Sequence, residues 1–268
     1  MTKFNKEGNI ASLMMLVWLA FYIFGAVFAS RWADFVGILG CTVPMLLLKH
    51  NIRGRTFGAS DCNTVKYKKS EYALFFVFCI GGCALLAAST LLLAKLGGAQ
   101  GVAETALRGD FFYLLVFSCI LPAFFEEWLL RGGVLGSLAK LGGSGVWMCA
   151  VLFMLMHVAP EKWAYALFAG LMLTALVYLT ECIYLGMLLH FCNNFTSLLL
   201  SYLPSGAEPI MLLVITAVFV VSLLLLMRGE LLADTVRLLR DVHGAKLREL
   251  LTPPFWVFAL VILFIILL

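Results

Sequence analysis

Nine apolar runs divide this chain almost end to end, at about 10–29, 33–49, 72–96, 111–131, 145–160, 163–181, 183–203, 208–227 and 254–268. A hydrocarbon layer about 30 Å thick takes roughly 20 helical residues to cross, and a segment in lipid must satisfy its own backbone donors and acceptors. The pattern therefore predicts an all-α, polytopic transmembrane helical bundle of about eight to nine spans. The fifth and ninth runs are short, which suits tilting, re-entrance or an interfacial position. A mean hydropathy of +1.03 with 13% charged residues excludes an ordinary soluble domain.

The expected organisation is N-terminal spans over 1–110, a core over 111–203, and C-terminal spans over 204–268 with an amphipathic segment near 228–250. In that segment Leu231, Leu232, Val236, Leu238, Leu239 and Leu247 are interleaved with charges, the pattern of a surface helix. With the N-terminus inside, 15 of the 19 Lys and Arg fall on the inner side and only Arg31, Lys95, Arg108 and Lys162 outside. Connecting segments rich in Lys and Arg stay cytoplasmic, so the N-terminus, loop 50–71 and segment 228–250 are expected on the cytoplasmic face and 97–110 outside. The expected location is a bacterial cell membrane. The basic residues flank membrane segments, so the net charge of +4 points to the lipid bilayer as partner and not to nucleic acid.

Eight cysteines, all but Cys62 in or beside apolar runs, show no CxxC spacing. Neither a disulfide framework nor a zinc knuckle is expected from them. No cleavable signal peptide is expected either, because the first run is long enough to span and the Arg31-Trp32 flank is not a small-residue cleavage site.

Polar groups inside the spans carry the functional information, because a charge at the centre of a membrane helix costs on the order of 2.5–3.5 kcal/mol on insertion scales. The fourth run contains LPAFFEEWLLRGG, Leu121 to Gly133. Glu127 and Arg131 are four apart and share a helical face, so they can pair, while Glu126 is rotated by about 100° and is left without a structural task. Pro122, four residues before Glu126, weakens the helix ladder and favours a kink or pocket. Phe153 and His157 on the fifth run, and His190 and Asn194 on the seventh, are also four apart and project from one face each. His190 lies about 10 Å in from the inner side, a depth similar to Glu126, whereas His157 is expected nearer the outer side. Taken singly, each histidine or asparagine fits interhelical hydrogen bonding, and Phe153 fits packing. Together a carboxylate, two imidazoles and a carboxamide are an acid-base and oxyanion-stabilising inventory.

The ordered set EExxxR (Glu126, Glu127, Arg131), FxxxH (Phe153, His157) and HxxxN (His190, Asn194) resembles the CPBP intramembrane protease family, which includes the type II CAAX prenyl endopeptidases and bacterial abortive-infection and bacteriocin-processing proteins. The resemblance covers about 120–200. It implies an intramembrane endopeptidase acting on peptide or prenylated-protein substrates, with Glu126 as the base activating a water, His157 positioning it, His190 and Asn194 stabilising the oxyanion, and Glu127 and Arg131 in support. The family has been described both as glutamate proteases and as metalloproteases. A Glu126, His157 and His190 set offers zinc ligands with an open position, but HExxH is absent, and the reading without a cofactor is preferred. Three alternatives stand beside it: a rhomboid-like serine protease using Ser144 in Gly142-Gly143-Ser144-Gly145 with His190, a transporter or proton-coupled carrier, and a non-enzymatic immunity or scaffold membrane protein.

Overall fold

The computed structural model describes residues 3–28, 32–52, 57, 62–96, 110–203, 207–244, 248 and 250–267. Among them every apolar run is helical and no strand is present. The helices are α1 (Lys3–Phe28), α2 (Ala33–Leu48), α3 (Lys69–Leu96), α4 (Phe111–Leu141), α5 (Gly143–Met156), α6 (Trp163–Thr180), α7 (Ile183–Ser201), α8 (Glu208–Leu226), α9 (Glu230–Arg240) and α10 (Pro253–Leu267). Seven are long and apolar enough to cross a membrane, and α5 and α10 are the short ones. The chain is an all-α integral membrane protein. Arg31, Arg53, Arg55, Arg108, Lys246, Leu247 and the loop expected outside, up to residue 109, lie outside the described residues.

Two helices depart from the sequence expectation in ways that shape the site. The fourth run continues ten residues past Arg131 to Leu141 and is not a regular α-helix: Leu115–Ile120 and Trp128–Leu135 are wound as π-helix on either side of the α-helical Leu121–Glu127. Pro122 explains part of this, since it has no N–H to give the carbonyl of Ser118 four residues earlier. The fifth run is shorter than expected, stopping at Met156, and Val158 follows at φ 51°. A β-branched residue in the left-handed region is a strained position that only surrounding structure can hold.

One end of the bundle is knit by polar contacts between segments far apart in sequence. Tyr67 donates to Asp234 Oδ2 at 2.9 Å, Glu71 Oε2 accepts from Leu231 N at 2.9 Å, and Lys140 Nζ lies 3.8 Å from Glu7 Oε1. Burial, followed by the bond to Asp234, pushes the Tyr67 hydroxyl above its ordinary pKa, so it stays a donor. The start of α1, loop 62–68, and segment 229–243 thus share a side. The apolar side of α9 is spent on the protein as well as on any lipid surface: Leu231 is buried, and Trp147 Nε1 donates to Leu239 O at 3.0 Å.

The same end holds a disulfide, Cys62–Cys182, contrary to the expectation of none. Asn63 N donates to Thr180 O at 2.8 Å and Lys66 Nζ to Leu179 O at 3.2 Å, so the loop is laid against the α6–α7 corner, where Glu181 adopts φ 56°. A separation of 120 residues has no spacing signature. The available clue was that Cys62 alone lies away from the apolar runs.

Candidate active site

Glu127 and Arg131 are fully buried and paired at 2.5 Å through Glu127 Oε1 and Arg131 Nη1. The same Oε1 lies 2.8 Å from His190 Nδ1. A carboxylate oxygen only accepts, so Nδ1 carries a proton and Nε2 is the nitrogen turned to Glu126, 4.0 Å from its Oε2. Glu127 therefore does more than hold Arg131: it fixes the orientation of His190. Gly186, one turn before His190 on α7, makes room for it. A Cβ there would lie 2.6 Å from Val177 Cγ2 and 3.0 Å from Glu127 Oε2.

His157 sits just past the end of α5, with Nδ1 donating to Phe153 O at 3.0 Å. Its amide and that of Val158 close the helix onto Met154 and Leu155, and the turn at Val158 then leads the chain away. This early ending removes the depth mismatch expected from a full-length fifth span: His157 and Glu126 line one cavity of ≈ 390 Å³. Phe153 is the common neighbour. Its ring centroid is 4.7 Å from that of His157 and 5.8 Å from that of His190, and Arg131 Cζ lies 4.9 Å over the ring, within cation–π range.

Asn194 is placed differently from the others. Its Nδ2 donates to Ser118 O at 3.1 Å, the carbonyl that Pro122 deprives of an α-helical donor. One amide hydrogen is thereby used for the kink, and the second is left over. Four of the motif residues, Glu126, Glu127, Arg131 and His190, form one connected group. His157 joins through Phe153 and the cavity, and Asn194 braces the helix that carries Glu126.

The donor chemistry at Glu126, His157 and His190 suits a metal, since each histidine gives its Nδ1 proton to an oxygen and keeps Nε2 free. The geometry does not fit: among the described residues no three His, Cys, Asp or Glu side chains converge on a common point. Two tetrahedral zinc ligands lie about 3.3 Å apart, closer than the 4.0 Å between Glu126 and His190.

Ser144 is excluded as a nucleophile. It is fully buried at the far end of α5 from His157, and its Oγ accepts from His243 N at 3.1 Å. A side chain at Gly143 would strike the backbone of Leu238 and Asp241, so the glycines of this stretch permit the close approach of α5 to the end of α9.

Sequence reasoning missed the cavity's other wall. Trp18, Phe21, Tyr22, Asp34 and Cys41, from α1 and α2, face Glu126 across the space. These helices carry none of the motif spacings, and the acid Asp34 in the first turn of a span was the available signal.

Residues 108–196 match the family described as type II CAAX prenyl endopeptidase Rce1-like. Over that stretch the chain is similar to this family. The match spans a third of the sequence and contains all the motif residues from Glu126 to Asn194. No curated protein and no solved structure matches the chain. The family supports a CAAX-type intramembrane protease.

Proposed function

We propose that the chain is an intramembrane endopeptidase in which Glu126 activates a water against a peptide carbonyl, without a metal, in a bacterial cell membrane with the N-terminus cytoplasmic. The observation that carries this reading is the pairing of a partly accessible carboxylate with an oriented imidazole, Glu126 Oε2 to His190 Nε2 at 4.0 Å, beside the cavity. A water bonded to both at about 2.8 Å would subtend about 90°, close to tetrahedral, so one water fits between them.

In the proposed reaction Glu126 takes one proton of that water as its oxygen adds to the substrate carbonyl, and His157 orients the water from the cavity side. The tetrahedral oxyanion is stabilised by the second N–H of Asn194 and by His190, whose Nε2 takes a proton from solvent before donating to it and returns that proton as the product leaves. The proton held by Glu126 passes to the leaving amine as the C–N bond breaks, giving a free carboxylate and an amine. Glu127 and Arg131 position His190 and touch no reacting atom. The substrate is a peptide or a prenylated peptide.

The deciding experiment uses the purified chain in liposomes with quenched fluorogenic peptides. Glu126→Gln keeps size and removes the base, so turnover falls by at least about 10²-fold, the effect typical of losing general-base catalysis, while the melting temperature is kept. Wild-type turnover by a folded Glu126→Gln protein would overturn the mechanism and favour a scaffold or carrier role.

A further inference from the structure

The cavity has a charge character that the motif residues alone do not explain. Its mouth is formed by the last turn of α1 and the first turns of α2, where Ala26, Ala33, Asp34 and Gly37 are exposed. This is the opposite end of α1 from the polar contacts of Glu7 and Tyr67. Between mouth and floor the wall is apolar and aromatic, with Trp18, Phe21, Tyr22, Phe117 and Phe125. Glu126 and His157 lie at the floor. Among the described lining residues the acids are Asp34 and Glu126, and none is Lys or Arg.

Asp34 is held in place there. The Tyr113 hydroxyl donates to its Oδ2, and the Phe35 ring packs edge-on against Phe117 at 5.5 Å, which ties the start of α2 to α4. From Asp34 to Cys41, at the buried end, α2 makes two turns, about 10 Å. An extended peptide advances about 3.3 Å per residue, so 10 Å corresponds to about three residues. A charged group fixed at the rim of an apolar slot selects the opposite charge on what enters it, and penalises its own.

Resting on the reading of Glu126 as the base, we infer that the cavity takes an apolar peptide segment bearing a Lys or Arg about three residues from the cleaved bond, held by Asp34, and entering from the α1–α2 face. A peptide presenting a carboxylate at that position is disfavoured. Asp34 is in this account a specificity residue that touches substrate but not the reacting bond.

The test uses the full chain in liposomes and a set of quenched apolar peptides in which Lys, norleucine or Glu is moved through the five positions on either side of the cleaved bond. Wild-type protein is expected to prefer Lys over Glu by roughly tenfold or more in kcat/KM, carried mainly by KM, with the optimum about three residues from the bond. Asp34→Lys should invert the preference toward Glu, a gain that misfolding cannot produce. An active Asp34→Lys protein with the wild-type ratio of Lys to Glu cleavage would overturn the inference and leave the protease reading intact. If wild-type protein cleaves none of the peptides, binding of fluorescein-labelled versions decides. Binding of Lys peptides by wild type and of Glu peptides by Asp34→Lys would support the site while sinking the protease reading, and binding without discrimination would overturn the site as well.

Discussion

Replacing Glu127 by Gln removes the carboxylate from a group in which it serves two partners. Arg131 would lose its counter-charge and keep a neutral amide oxygen shared with His190, a long bond from Nη2 to Gly170 O at 3.4 Å and the face of Phe153, with no partner at Nε. Breaking a buried pair typically costs about 3–5 kcal/mol, and the aromatic face, worth up to about 2 kcal/mol when desolvated, places this case near the lower end. At about 2–4 °C per kcal/mol, the melting temperature should fall by roughly 6–12 °C. Two double variants then separate stability from function. Glu127→Gln with Arg131→Met removes the orphaned cation and leaves an amide oxygen to accept from His190 Nδ1. Glu127→Leu with Arg131→Met removes the cation and the acceptor together. Both should recover most of the lost stability, since apolar replacement of a buried pair is often close to neutral. Only the Gln-containing double variant should recover peptide turnover, with the other lower by about 10²-fold because His190 is free to rotate. Melting and turnover are measured on the same liposome samples. Equal turnover by the two double variants would refute the claim that Glu127 positions His190.

Asn194→Ala should lower stability by about 1–3 kcal/mol by leaving Ser118 O without its donor, and reduce kcat by about 10²–10³-fold if its second hydrogen serves the oxyanion; a stability loss with unchanged kcat would confine it to the kink. Ser144→Ala should cost a similar 1–3 kcal/mol through His243 N while cleavage continues, and fluorophosphonate labelling at Ser144 would contradict its burial. Exhaustive treatment with 1,10-phenanthroline should leave turnover and melting unchanged, and loss of activity restored by zinc would show that Glu126, His157 and His190 close further than their present geometry. Gly186→Ala should push against Val177 and Glu127 and lower both stability and turnover, whereas a variant as active and stable as wild type would show that α7 shifts freely.

The apolar runs located the spans because backbone satisfaction in lipid leaves little alternative to helix. The Glu127–Arg131 pair was legible from its spacing alone, for the same reason. His190 was legible as a member of the site but not as Glu127's partner, because a contact between α4 and α7 has no spacing in sequence. The π-helical turns around Leu121–Glu127 were hinted at only by Pro122. The early stop of α5 had no breaker until Pro160, and it took the strained Val158 to show why His157 reaches the cavity. Asp34 looked like an ordinary helix-start acid, since nothing local says that α2 faces α4.

Joined through Cys62–Cys182, the chain is in covalent terms a ring with two tails. The ring runs through α3, α4, α5 and α6 and so contains Glu126, Glu127, Arg131 and His157. The N-terminal tail supplies Asp34 and the aromatic wall, and the C-terminal tail supplies His190 and Asn194. A single cut between α3 and α4 would open the circle without releasing a fragment, and the wall carrying Asp34 would part from the rest of the site only after reduction. Oxidation state would therefore decide whether a nicked molecule survives as one polypeptide or comes apart between its base and the wall its substrate rests on.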